Sequence, residues 1–182
     1  SREGEWAPTD VSLGARLIHA AAPLSDGRVL LADHLGTLTV ARPGIWGSSY
    51  AGPVIAPIRG LHRLADDDVY LVGDQKNVLH YQGNTLVPLS GSPVAPLEAV
   101  WGTVEDGLWA VGPRGTIVHL TQWGTWEAVP SPVAVDLHAV SGSGPDDVWV
   151  VGDAGLTLHL AEGAWKVVVS PTDQQLLGVS IV

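Results

Sequence analysis

The sequence predicts an all-β fold: a β-propeller of four-stranded antiparallel blades, with four full blades and a partial fifth. Three observations carry this. First, a tryptophan following a small turn recurs at Trp6, Trp46, Trp126 and Trp165, and Leu86 stands midway between the second and third. Second, an independent ladder, Val29, Val69, Leu108 and Val148, keeps the same period of about 40 residues. Third, each period holds four short apolar runs separated by turn residues. Self-similarity at a fixed period is the mark of a repeat architecture, and a four-stranded unit of this length is one propeller blade.

The clearest copy runs from Leu137 to Pro171 and contains "LHAV", "VWVVG", "LTLHL" and "WKVVV". Each run is rich in Val, Leu or Trp and is bounded by Gly, Pro, Asp or Ser. β-Branched and aromatic side chains suit a pleated surface, while the bounding residues set turn dihedrals. No stretch sustains the i, i+3, i+4, i+7 spacing that a helix needs. Four strands of about six residues with turns of about four fill the period. A leucine-rich repeat or β-helix coil is shorter, and a β-sandwich has no reason for a fixed period.

Within a blade, the innermost strand is expected to hold Leu17, Leu61, Leu97 and Leu137. The second strand carries Leu30, Tyr70, Trp109 and Trp149, and the third ends at Val40, His80, His119 and His159. The outer strand opens at the turn-following tryptophans. The chain then reads as one domain over 1–182, with blades near 16–52, 60–90, 96–131 and 136–170. Residues 5–12 supply an outer strand and 176–182 an inner strand of a closing blade that lacks its middle two. The expectation is a piece of a longer propeller, or a ring completed by other polypeptide; the missing methionine and the abrupt start at "SREGEW" favour processing or excision.

With 182 residues and 46% hydrophobic content, the chain can bury a sizeable core. A net charge of −10 with only two lysines, Lys76 and Lys166, argues against nucleic acid, whose phosphates need clustered bases. There is no cysteine, hence no disulfide or thiolate chemistry. The apolar runs are too short for a transmembrane helix. Abundant Ala, Gly and Val beside scarce Lys suggests a bacterial source.

At "GSGPDDVWVVGDAGLTLHLAEGAWKVVVSP" and "VWGTVEDGLWAVGPRGTIVHLTQWGTWEAV", the chain resembles propeller repeats of the "VWGSGPDDVWAVGDGGTILHW" type found in surface and secreted proteins of myxobacteria. It is distantly similar to Asp-box propellers, which include sialidases and the photosystem II assembly-factor family. Gly124–Trp126 keep the Gly-Thr-Trp end of that box without its Ser or Asp. The resemblance implies the fold and an extracellular or cell-surface location, and leaves the role open.

His80, His119 and His159 recur on the third strand, too far from the axis for one metal, so a structural hydrogen bond to the next turn is expected. The acidic pairs Asp67-Asp68, Glu105-Asp106 and Asp146-Asp147 fall in turns between first and second strands, where Asp bonds backbone amides. They match no calcium loop. Trp101 and Trp123 do not recur, and aromatics outside the repeat are the better candidates for recognition. Lys76 and Arg114, in adjacent turns between second and third strands, form a candidate anion-attracting spot. The seven arginines share no blade position, and no G-x-S-x-G, H-E-x-x-H or phosphate loop occurs.

The sequence therefore points to a non-catalytic binding or scaffold propeller with no cofactor and no metal. Its partner is expected to be a protein, or a second copy completing the partial blade. A carbohydrate-binding propeller using Trp101 and Trp123 is the alternative, and a degenerate sialidase-like hydrolase a third.

Overall fold

The computed structural model describes residues 17–42, 45–50, 57–65, 68–74, 78–82, 85–91 and 95–181. Among the described residues, sixteen strands form four separate antiparallel sheets in sequential order. Blade 1 comprises β1 (Ile18–Pro23), β2 (Val29–Asp33), β3 (Leu38–Arg42) and β4 (Ile45–Tyr50). Blade 2 comprises β5 (Ile58–Ala65), β6 (Asp68–Gly73), β7 (Leu79–Gln82) and β8 (Thr85–Pro88). Blade 3 comprises β9 (Ala99–Thr103), β10 (Gly107–Gly112), β11 (Thr116–Leu120) and β12 (Trp126–Ala128). Blade 4 comprises β13 (Leu137–Gly144), β14 (Asp147–Gly152), β15 (Thr157–Ala161) and β16 (Ala164–Val168). Short turns between sequential antiparallel strands make each sheet a meander.

Period-two alternation along the second strand explains how blades stack. In β6, Val69 and Leu71 enter the core shared with blade 1, while Val72 and Tyr70 enter the one shared with blade 3. In β10, Leu108 and Ala110 face blade 2, and Trp109 and Val111 face blade 4. In β14, Val148 and Val150 pack on blade 3. Three apolar layers therefore lie between four blades, and each side chain of the second strand belongs to one of two neighbours. Innermost strands follow one another in space, β1 beside β5, β5 beside β9 and β9 beside β13. No packing of comparable extent joins β13 to β1 among the described residues.

The inner-strand register differs from the sequence expectation. Ile58 pairs with Gly73 and Leu137 with Gly152, and Leu97 donates its N–H to the Gly73 carbonyl. The structural ladder is thus Ile18, Ile58, Leu97 and Leu137, not Leu17 and Leu61. Leu17 is 65% exposed, whereas Ile58, Leu97 and Leu137 are buried. In blades 2, 3 and 4 the glycine that ends the second strand decides the register. A Cβ on Gly73, Gly112 or Gly152 would meet the carbonyl oxygen of Pro57, Pro96 or Asp136. Only there can the incoming backbone cross so closely.

The expected inner strand at 176–182 is also corrected. Residues 169–181 lie in no sheet. Sheet pairing needs a neighbouring second strand, and none stands beside this segment among the described residues. The expected outer strand at 5–12 lies outside the described residues.

Candidate functional site

In blades 2, 3 and 4 a third-strand histidine bonds the acidic turn and stacks on the aromatic of the second strand. In blade 4 the Asp147 carboxylate accepts from His159 Nε2 (2.8 Å) and from Trp149 Nε1 (2.8 Å), and the two rings stack at 4.0 Å. In blade 3 Trp109 Nε1 donates to Asp106 (2.9 Å), His119 donates to the Asp106 carbonyl (2.9 Å), and the rings stack at 4.1 Å. In blade 2 Asp68 bonds His80, whose ring lies on Tyr70 at 4.5 Å. The expected structural role of the histidines is present, but with a different partner. Each ties the third strand back to the acidic turn before the second strand rather than onward to the next turn. Recurrent histidines and recurrent turn carboxylates are two halves of one device. Bonds from Ser143, Trp149 and His159 hold the Asp147 carboxyl below its ordinary value of 3.8.

A second polar series lies where inner strands begin and second strands end. Arg59 makes a two-pronged pair with Asp74 (2.8 and 3.1 Å) and lies 3.7 Å from Glu98 in the next blade. At the matching place in blade 4, His138 bonds Asp153 (2.8 Å), and Gln175 bonds both. His138 and Gln175 hold the Asp153 carboxyl below its ordinary value. Aligning Leu61 with Leu137, as the repeat suggests, puts His62 and His138 on one rung and hides these pairs. Their true offset from the ladder residues Ile58 and Leu137 shows that they occupy different rungs.

The four named candidates separate. Trp101 lies between blades 3 and 4, packed on the core they share, with its ring against Gly142 and 6.2 Å from His62. It is therefore spacing material between inner strands rather than a free stacking surface. Trp123 stands in the turn between β11 and β12 and is 83% exposed. Arg114 adopts a left-handed conformation (φ 56°) in the turn between β10 and β11, and its N–H donates to Asp136 (2.8 Å). That bond joins this turn to the loop entering blade 4, so the two loop classes share one face. Lys76 lies outside the described residues, so its company with Arg114 is not part of this geometry. Among the described residues, no group of three His, Asp or Glu side chains is placed to hold a metal, and no helix is long and apolar enough to cross a membrane.

Successive inner strands interlock by one rule. His62 Nε2 donates to the Gly102 carbonyl (2.8 Å), and the Trp101 ring fills the space beside Gly142. The Ser141 hydroxyl accepts from the Ile181 N–H (3.2 Å). Burial holds the His62 pKa below 6.5, so the ring is the neutral donor. A further contact follows the same step: Leu97 N–H donates to Gly73 O (3.1 Å), and Leu176 N–H donates to Gly152 O (3.0 Å). Residues 176–181 thus occupy the inner-strand place of a fifth blade while pairing in no sheet.

No protein-family model and no curated protein matches the chain. Solved structures do match. A catalytically inactive virginiamycin B lyase from Staphylococcus aureus, crystallised with quinupristin, has a TM-score of 0.74 at 11% identity, over 89% of this chain and 58% of the lyase. YCF48 bound to D1 peptide gives 0.69 at 18% identity, over 92% and 58%. The WD40 β-propeller domain of Doa1 gives 0.65 at 14%, over 81% and 52%. At these identities the likeness establishes the propeller fold. The chain spans little more than half the length of each of these structures.

Proposed function

We propose that the chain is a non-catalytic binding and scaffold propeller that holds protein partners in a bacterial surface, secreted or multi-subunit assembly. The carrying observation is how the chemistry-bearing side chains are used. Asp68, Asp106 and Asp147 and their histidines hold strands together within blades, and His62, Trp101 and Ser141 hold blade to blade. What is left outward is shape and loop surface. That suits recognition of another polypeptide better than bond-making. A peptide-bound propeller and a WD40 domain among the similar structures support a protein-interaction role, while the lyase keeps an enzymatic reading in view. The placement at a surface rests on the resemblance of the repeats to those of myxobacterial surface proteins.

Native mass spectrometry after affinity capture from a bacterial lysate tests this reading. A polypeptide retained at defined stoichiometry supports it; a chain that stays at 19.0 kDa in every preparation refutes it. One observation favours a second reading. Trp123 offers an almost bare indole face, as sugar stacking requires. A glycan array in which Trp123→Ala abolishes a specific signal would establish the lectin reading, and a blank array would end it.

A further inference from the structure

The tip of blade 3 departs from the repeat twice, and both departures fall at one place. In the hairpin of its third and fourth strands, five residues lie between the paired Leu120 and Trp126. Four suffice between Leu160 and Trp165, between Tyr81 and Leu86, and between Ala41 and Trp46. The longer turn carries Trp123, 83% exposed, while every other Trp or Tyr whose side chain is described is buried or half-buried. In the hairpin of the first and second strands, Val104 stands where blade 4 has Gly144, since Gly102 and Gly142 hold one rung. Val104 is 67% exposed. The two turns adjoin: a Cβ on Gly107 would meet the Leu120 carbonyl oxygen and lie 3.1 Å from the Thr121 carbonyl carbon.

The indole is held out by its own turn. Thr121 N–H donates to the Thr125 carbonyl (3.0 Å), Gly124 N–H to the Thr121 carbonyl (2.9 Å) and Thr125 N–H to the Thr121 hydroxyl (3.3 Å). Gly124 supplies the left-handed residue that closes the turn (φ 79°). A turn fixed in this way loses little freedom on docking. Charge then selects the occupant. Blade 3 carries Glu105, Asp106 and Glu127 toward this end, and its single Lys or Arg, Arg114, sits in the turn at the opposite end. The corresponding turn of blade 4 adds Asp146 and Asp147. In blade 4 the hairpin carboxylate Glu162 is already answered by Lys166 (2.8 Å). Among the described residues, no Lys or Arg pairs with Glu105 or Glu127.

We propose that the tip of blade 3 is a docking site for a basic segment of a protein partner, with a Lys or Arg side chain laid over the Trp123 ring. Trp is the best aromatic platform for such a cation. The carboxylates of Glu105 and Glu127 answer the charge, and Val104 meets the aliphatic stem. An acidic segment or a phosphate backbone would be repelled by the same carboxylates. The proposal names a contact for the scaffold reading above and rests on it.

The test follows the fluorescence anisotropy of a labelled hexa-arginine peptide with the whole chain at about 0.15 M salt, where long-range attraction between exposed charges is largely screened. Trp123→Ala should weaken binding by about tenfold or more, the loss expected of a central interface Trp, and Trp123→Phe should recover part of it. Glu105→Gln should weaken it by about threefold. Asp173→Asn should change nothing, because its loop lies at the opposite end, where Thr172 adjoins Gly155. Equal affinity of Trp123→Ala and the parent overturns the inference. Equal losses for Glu105→Gln and Asp173→Asn do so too, because binding is then diffuse attraction to the net charge. A glycan signal that needs Trp123 while hexa-arginine binding does not also overturns it, since the platform then serves a sugar. A protein partner captured equally well by Trp123→Ala overturns it and spares the scaffold reading, whereas capture of no protein overturns both.

Discussion

Gly152→Ala probes a close crossing of two backbones, where the inner strand of blade 4 passes the end of its second strand. A Cβ at this position would stand 2.2 Å from the Asp136 carbonyl oxygen and 3.2 Å from its carbon. Ordinary carbon-to-oxygen approach is about 3.3 Å, so one backbone must yield by about 1 Å. The obstacle is main chain on both sides, held by the Asp153 N–H to Asp136 carbonyl bond (3.0 Å) and by the Leu137–Gly152 pairing. Overpacking a formed core costs about 1–3 kcal/mol. Straining that hydrogen bond adds about 1 kcal/mol. A total near 2–4 kcal/mol is expected, against a gain of at most about 1 kcal/mol from stiffening the unfolded chain. Urea denaturation followed by tryptophan fluorescence reads it: with a slope of about 2 kcal/mol per molar, the midpoint falls by about 1–2 M. Gly144→Ala is the matched control, because nothing lies within 4 Å of its Cβ. That variant should stay within about 0.5 kcal/mol of the parent. Equal midpoints for the two variants would refute the crossing and the register drawn from it.

Three further outcomes follow from the same geometry. Because the Asp147 carboxyl is held below 3.8, its stabilising effect is complete above that value and is lost as pH falls through the lower folded-state value. Thermal midpoints between pH 5 and about pH 2 should therefore drop less steeply in Asp147→Asn than in the parent. Burial depresses His62, so its contribution is full above 6.5 and declines as pH falls toward the folded value. His62→Gln should flatten the change in thermal midpoint between pH 7 and about pH 5, and an unchanged slope would dismiss the neutral donor to Gly102. Trp123→Ala should leave the urea midpoint within about 0.5 kcal/mol of the parent, since its ring is in solvent, whereas Trp101→Ala should cost about 3 kcal/mol by opening a cavity between blades.

The blades were legible because their demands repeat. A second strand serves two neighbours at once, so Val69, Leu108 and Val148 must stay apolar on one face and Tyr70, Trp109 and Trp149 large on the other. The inner-strand register was less legible. The approach to blade 2, "AGPVIAPIRGL", is apolar almost throughout, and alternation alone does not distinguish Ile58 from Leu61. The discriminating signal was Gly73, Gly112 and Gly152, whose bareness marks where the backbone crosses. The absence of Trp101 from the repeat misled for a physical reason. Its rung holds His62, Trp101 and Ser141 in successive blades, because each need only suit one backbone step of the next inner strand. Bulk there is traded against Gly142. Trp123 fails to recur because a hairpin tip in solvent carries no packing demand. The His–Asp units were seen as two recurrences, and only the fold shows that the third strand bends back to the turn that opens the second.

The central claim is that residues 176–181 take the inner-strand place beside blade 4 with no second strand paired to them among the described residues. Amide exchange on the isolated chain, comparing this segment with 97–102 and 137–142, tests it most directly. The account predicts strong protection at Trp101 and Ser141 in the two finished blades and at Leu176, with rapid exchange at Leu177 and Ser180. Protection of Leu177 and Ser180 equal to that of Glu98 and Trp101 would contradict it, because a strand would already cover the edge.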